Sequence, residues 1–392
     1  MSSLTIRKVE LYPIAMPLVE RLGTSFGKEP FKVAILVQLF TDEGIMGWGE
    51  SPAEIYPGYA YETIGIALHV LSQFIIPTLI GCTLTQPDQI VACMSHVRGH
   101  PIAKHGIEQA VYDAFAQLHQ LPLSAYFSQL VGEIKGVPQT SKGFATVGVS
   151  IGIQDDVAST LAIIEKRLQQ GYQRIKLKIK PGWDIELAQG VRAAFPEVML
   201  MLDANSAYTL QDSEHLRQLD DYDLLMIEQP LPYNDIYQHS KLQPQIETAI
   251  CLDESITTVD DAMLAIELGA CRIINLKPAR VGGFTESIKI YRFCVENGVA
   301  LWIGGMLETG IGRSANLAFA SLPGVTLPCD LSATDRYYDP DVTEPPFVIR
   351  PDSTIATPTE NGIGVTVQMD RVQQAVQYCR EHLPYSLPIA NV

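Results

Sequence analysis

The chain has 392 residues, 47% of them hydrophobic and 18% charged, with 28 Lys and Arg against 44 Asp and Glu for a net charge of −16. That apolar content excludes a disordered chain, and the length is comfortable for two cores. The acidic balance argues against a nucleic-acid backbone as partner, because a polyanion calls for a basic face. A small anionic substrate stays open, since local field governs a pocket.

Seven cysteines, Cys82, Cys93, Cys251, Cys271, Cys294, Cys329 and Cys379, form an odd, scattered set without a Cys-x-x-Cys pair. The pattern predicts free thiols in a reducing, cytoplasmic compartment, with neither a disulfide framework nor a zinc site.

In chain order, Leu4 to Leu11 and Phe31 to Phe40 are β-rich, and Asp42-Glu43-Gly44 predicts a tight turn into Ile45-Met46-Gly47-Trp48. A glycine-rich loop, Arg21 to Gly27, lies between the first two strands. From about 60 to 130 the period is helical. Ile64, Leu68, Leu71 and Ile75 predict a half-buried helix, and polar residues within that stretch exclude a membrane span. Ile107, Ala110, Val111, Ala114, Phe115 and Leu118 predict a second helix.

From about 145 onward short apolar runs alternate with amphipathic stretches. The runs are Ala145–Ile151, Arg174–Ile179, Val198–Leu202, Leu224–Ile227, Ala249–Leu252, Arg272–Leu276 and Val299–Ile303, with a candidate eighth at Val325–Leu327. Such strands between helices indicate a parallel sheet buried on both faces, and their number fits a closed barrel. After about 335 Pro-rich segments lead to a final helix, Arg371 to His382, expected to return to the N-terminal part. The predicted fold class is α/β: a (β/α)8-type barrel in (β/α)7β form, with an α+β capping domain built from both ends of the chain. The predicted divisions are 1–130 for the cap, 131–335 for the barrel and 336–392 for the returning segment.

Lys178, Asp203, Glu228 and Asp253 are each 25 residues apart, and Lys277 follows 24 later. Each stands at the carboxyl end of an apolar run, the end that forms the active-site face of a barrel. Asp203, Glu228 and Asp253 would repel one another in a desolvated mouth, and a divalent cation removes the conflict. All-oxygen ligands point to Mg²⁺, or to Mn²⁺ as its substitute. Lys176 and Lys178 face one side of their strand, and Lys277 lies on the opposite wall. Desolvation and a nearby dication are expected to lower a lysine pKa so that the neutral amine serves as a base. Metal, base and opposing cation suit proton removal from carbon beside a carboxylate.

At these residues the sequence resembles the enolase superfamily, in its muconate-lactonising branch. The matching strings are Lys176-Leu177-Lys178, Leu202-Asp203-Ala204-Asn205, Ile227-Glu228-Gln229-Pro230, Leu252-Asp253-Glu254-Ser255 and Asn275-Leu276-Lys277-Pro278, with Trp48-Gly49-Glu50 and Gly106-Ile107-Glu108 in the N-terminal part. Lys180-Pro181-Gly182-Trp183-Asp184, Gly304 to Gly310 and Ala333 to Tyr338 are most similar to the o-succinylbenzoate synthase family, a group that includes N-succinylamino acid racemases.

The resemblance implies that Asp203, Glu228 and Asp253 ligate Mg²⁺ and that Lys178 is the general base of a syn dehydration. Lys277 is then a stabilising cation, or the second acid/base of a racemase, and Lys176 lowers the pKa of Lys178 or supports the substrate carboxylate. It further implies that Ser25 and Phe26, and secondarily Met46 and Tyr56, close over the substrate from the cap. Ser150, Asn205, Gly305 and Met306 would contact it from the barrel. The implied partner is a small-molecule carboxylate, with no nucleic acid or membrane, and a homo-oligomer is compatible with the sequence. His96 and His100 have metal spacing, but Gly99 and Pro101 break the helix that would align them. Gly310-x-Gly312 lacks a nucleotide-binding context, and Trp302 reads as core.

Overall fold

A computed structural model provides the structure and describes residues 3–20, 23–24, 27–28, 31–385 and 387. The cap begins with strand β1 (Leu4–Pro17), which pairs antiparallel with β2 (Phe31–Thr41) from Lys8 opposite Phe40 to Pro17 opposite Phe31. The expected turn is present, with Gly44 at φ +80° and its N–H donating to the carbonyl of Thr41 at 3.2 Å. It delivers the chain to β3 (Met46–Ser51) on the outer side of β2. A short strand β4 (Thr83–Leu84), not foreseen, adds to β1, giving the sheet order β3-β2-β1-β4.

Helix α1 (Ile64–Val70) starts where Thr63 Oγ1 accepts from the N–H of Ile66, and it continues through a wider turn at Leu71–Ile75 into Ile76–Leu79. Its apolar stripe, Ile64, Leu68, Leu71 and Ile75, is buried while Ile66 and Phe74 face solvent. Among the described residues no helix is long and apolar enough to cross a membrane. Helix α2 (Pro101–Leu118) is buried almost throughout because it lies between the cap sheet and the barrel. Gly49 permits the approach: a Cβ there would overlap the carbonyl of Gly106.

Seven parallel strands follow in sequential order: β5 (Val149–Ile151), β6 (Arg174–Lys178), β7 (Met199–Asp203), β8 (Ile227–Glu228), β9 (Ile250–Leu252), β10 (Ile273–Leu276) and β11 (Ala300–Ile303). Helices alternate with them, and several begin at side-chain caps. Asp156 accepts from the N–H of Ser159 at 2.7 Å, and Thr258 and Asp261 form a reciprocal pair at another helix start. Continuous burial along the strands is what a sheet covered on both faces requires.

Two strand assignments differ from expectation. The first apolar run is split. Phe144–Thr146 pairs antiparallel with Thr354–Ala356 of the C-terminal segment, and only Val149–Ile151 joins the parallel sheet. The eighth stave lies at Cys329–Asp330 instead of 325–327. Cys329 bridges to Val147, and Asp330 to Gly304, so this short piece touches both edges of the seven-stranded sheet. Its shortness, bounded by Pro328, hid it from a periodicity reading. The final helix, Met369–His382, packs on β1, and Tyr378 meets Phe31 edge-on at 5.8 Å between ring centroids. All seven cysteines are free thiols.

Candidate active site

The alternation of β6 sends Arg174, Lys176 and Lys178 to the barrel interior while Ile175 and Leu177 face the helices. Arg174 lies deepest, against buried Trp302, and Lys176 stands 5.1 Å from the same ring, so Trp302 is core that also meets a charged pair. Lys178 reaches the mouth. Neighbouring registers set Lys178 beside Asp203 and Asp203 beside Glu228, while Asp253 and Lys277 stand one residue past β9 and β10.

These charges interlock. Lys178 Nζ donates to Asp203 Oδ2 and to Asn205 Oδ1, each at 2.6 Å. Lys176 Nζ meets Asp330 Oδ2 at 2.5 Å, Glu228 Oε2 at 3.0 Å and Asp203 Oδ2 at 3.1 Å. On the far wall Lys277 Nζ donates to Asp253 Oδ2 at 2.7 Å, and Arg280 pairs with the other oxygen of Asp253. Asn275 donates to Glu228 Oε1 at 2.7 Å, and Asn205 Nδ2 donates to Glu254 Oε1 at 3.0 Å. Asn205, Gln229 and Leu307 carry left-handed backbones at φ 41°, 39° and 61°, local strain concentrated around this mouth.

Above the ladder is a cavity of about 200 Å³. Lys176, Lys178, Lys277, Ser150, Asn205, Gly305 and Met306 line it from the barrel, and Tyr56 from the cap. Ser150 Oγ is buried and, among the described residues, without a hydrogen-bond partner. Ser25 and Phe26 lie outside the described residues. Met46 does not line the cavity: it begins β3, where Gln38 reaches its sulfur, while the chain enters the mouth beyond the other end of that strand. Asp203, Glu228 and Asp253 lie beneath the lysines, fully buried. Among the described residues no three His, Cys, Asp or Glu side chains stand together as a ready metal cluster, because amines occupy the space between the acids.

Burial opposes the charge on Lys277, but Asp253, Tyr59 and Glu228 together outweigh it and hold the ammonium above the usual lysine range. Lys176 is likewise raised, burial being overcome by Asp330, Glu228 and Asp203. Burial acts on both lysines in the expected direction, and contact with carboxylates outweighs it. Asp203 and Asp253 are held low against burial, chiefly by Lys178 and by Lys277 respectively. Glu228 is pushed up to about 8 by burial and by Asp203, and Glu254 to about 7 by burial and by Asp253. The floor is therefore short of positive charge at Glu228 and Glu254. Its donors are all hard oxygens, a set that fits Mg²⁺, and a cation there would compete with the lysines for the same oxygens.

Sequence reasoning missed Lys32, Glu54, Tyr59, Arg280 and Asp330. Asp330 ends the misplaced eighth run, so a correct run would have extended the ladder to it. Arg280 follows Lys277 by one helical turn, a visible but nonspecific spacing. Tyr59, Lys32 and Glu54 come from the cap and carry no periodic signal. His96 bonds the carbonyls of Phe74 and Cys93, and His100 precedes α2 beside Glu62, so the two imidazoles have separate roles. Gly312, at the start of the helix Gly310–Ala320, donates its N–H to buried Glu50.

Residues 7–132 match the family model "Mandelate racemase / muconate lactonizing enzyme, N-terminal domain", and residues 160–371 match "Enolase C-terminal domain-like". The chain belongs to the enolase superfamily. Among its relatives there, an o-succinylbenzoate synthase of Bacillus subtilis (strain 168) is 43% identical over 95% of this chain and 96% of its own length. An N-succinylamino acid racemase of Thermus thermophilus is 42% identical, over 96% and 98%. The crystal structure of an enolase-superfamily member from Listeria innocua superposes with a TM-score of 0.87 at 38% identity, covering 95% of this chain and 97% of that one.

Proposed function

We propose that this chain is a lyase that dehydrates 2-succinyl-6-hydroxy-2,4-cyclohexadiene-1-carboxylate to 2-succinylbenzoate, serving menaquinone or phylloquinone biosynthesis in the cytoplasm. The observation that carries the reading is the placement of Lys178 and Lys277 on opposite walls of one cavity above buried Asp203, Glu228 and Asp253. Relatives of the same length and 38–43% identity with the synthase name support it.

Asp203, Glu228 and Asp253 would hold Mg²⁺, or Mn²⁺ in its place. When bound, the cation supplies electrostatic stabilisation for the negative charge that grows as the α-proton departs. Lys178 Nζ takes that proton, and the C–H electron pair becomes part of the new ring double bond as the C–O bond breaks. The same ammonium returns the proton to the departing hydroxyl on the same face, releasing water. Asn205 orients Lys178 through the 2.6 Å bond to its amine. Lys277, an ammonium held by Asp253, faces the ring from the other side as a stabilising cation. Aromatisation supplies the thermodynamic pull.

The second reading is racemisation of N-succinylamino acids, favoured by the opposed lysines and by relatives of that name. Lys178 and Lys277 would then exchange the α-proton from opposite faces. Incubation with Mg²⁺ and each substrate decides the order. A kcat/KM for dehydration well above that for racemisation supports the first reading, and the reverse ratio replaces it with the second.

A further inference from the structure

One cation on the cavity wall has no part in the chemistry above. Lys32 is the second residue of β2 and only 5% exposed, so it reaches the cavity from the cap while Lys178 and Lys277 reach it from the barrel. Among the described residues its partner is Glu54 Oε1 at 3.5 Å, the upper limit of a hydrogen bond, whereas Lys178 and Lys277 bind acids at 2.6 and 2.7 Å. Glu54 lines the same wall and keeps part of its surface exposed. A lysine so withdrawn from water calls for a close anion, and Glu54 supplies a loose one.

Resting on the functional reading above, we propose that Lys32 sets specificity at the far end of the substrate by binding the terminal carboxylate of the succinyl arm. Both substrates considered carry that carboxylate, remote from the reacting carbon. Glu54 is the incumbent: it neutralises Lys32 while the cavity is free, and the arriving carboxylate takes its place. Leu18 and Met306 offer apolar wall for the methylene groups of the arm. A dianionic ligand thus meets positive charge contributed by both domains, and a ligand lacking the second carboxylate leaves Lys32 to Glu54.

The test is calorimetric binding, in Mg²⁺ buffer, of 2-succinylbenzoate and of 2-butyrylbenzoate, which replaces the terminal carboxylate with a methyl group. The native chain is expected to prefer the succinyl ligand by roughly ten- to a hundredfold, the range of a hydrogen bond to a charged group. Lys32→Met should erase that preference while leaving the affinity for the butyryl ligand unchanged. Glu54→Gln, at a partly exposed site, should tighten the succinyl ligand severalfold and leave the butyryl ligand alone; it decides the matter if Lys32→Met does not fold. A native chain without preference, a preference surviving in Lys32→Met, or no selective gain in Glu54→Gln overturns the assignment. Selective binding without turnover of either substrate would sink the functional reading and leave Lys32 in its role. Turnover with a preference indifferent to Lys32 would do the reverse.

Discussion

Lys277 Nζ donates to the hydroxyl of Tyr59 across 3.1 Å, tying the sixth barrel strand to the cap. Tyr59 in turn donates to Asp253 Oδ1 at 3.1 Å, and Lys277 binds the other oxygen of that carboxylate, so the three side chains close a ring. The ammonium also lies 4.3 Å from the centre of the tyrosine ring. The position of Lys277 therefore depends on the cap being seated.

Tyr59→Phe removes one bond to Lys277 and keeps the aromatic face. In the proposed mechanisms racemisation needs Lys277 to exchange a proton, whereas dehydration uses it only as a fixed charge. Racemase kcat is expected to fall about tenfold, the scale of one hydrogen bond to a charged group, with dehydration changing less. Parallel assays of the two reactions on the variant check this, and equal losses would remove the distinction between the roles of Lys277.

Lys178→Ala should abolish turnover. General acid–base groups contribute about 10²- to 10⁴-fold, and in the proposed mechanism one amine serves both proton transfers, so a loss at the top of that range is expected. Thermal unfolding should stay close to that of the native chain, because Asp203 retains Lys176 as a partner. Full activity in the variant would rule out the base assignment.

EDTA should silence the enzyme and Mg²⁺ restore it. Activity is not the only readout. An ion bound at about 100 times its Kd stabilises the native state by about 2.7 kcal/mol, so added Mg²⁺ should raise the melting temperature. Asp203→Asn should shrink that rise. A melting temperature indifferent to Mg²⁺ in both chains would place the cation elsewhere or nowhere.

The ladder was legible because barrel geometry repeats: one strand, one helix and one strand-end residue about every 25 positions. Buried parallel strands are also continuous apolar runs, so their number could be counted. What stayed hidden was what breaks that repeat. The eighth stave makes its contact through Cys329 and Asp330 alone, too short for a pattern. Tyr59, Lys32 and Glu54 converge on the barrel from the other domain, a juxtaposition that no spacing encodes. The carboxylates around Lys176 were hidden for a related reason: burial is visible in an apolar run, and the contact with Asp330 is not.

Asp330 illustrates the cost of such hidden contacts. It meets Arg174 at 2.6 Å and Lys176 at 2.5 Å, and Arg174 is completely buried. Asp330→Asn would leave Arg174 without its carboxylate, while Lys176 keeps Glu228 and Asp203. Breaking a buried pair in this way costs about 3–5 kcal/mol, and denaturant unfolding should show a loss of that order. Arg174→Met combined with Asp330→Asn should recover part of it, and a double variant no better than the single one would count against the pairing.

The pH dependence of stability on its alkaline side follows from acids that the chemistry does not use. Burial pushes Glu50, Glu62 and Glu108 up to about 7 from an ordinary 4.5, and Asp113 up to about 6 from 3.8. Between those limits the folded chain binds protons that the unfolded chain has released. Their contribution is whole below about 4.5 and is lost as pH rises through 7. Asp203, Asp253 and Asp330 are held below the ordinary 3.8, so their contribution is present above that value and fails as pH falls further. The growing net negative charge acts in the same direction as the first group. The melting temperature is therefore expected to peak near pH 5 and to decline by several degrees toward pH 8. Glu50 accepts from the backbone of Thr309 and Gly312, so Glu50→Gln removes one titrating group and keeps an acceptor oxygen there. That variant should flatten the decline, and a slope identical to that of the native chain would exclude Glu50 as a contributor.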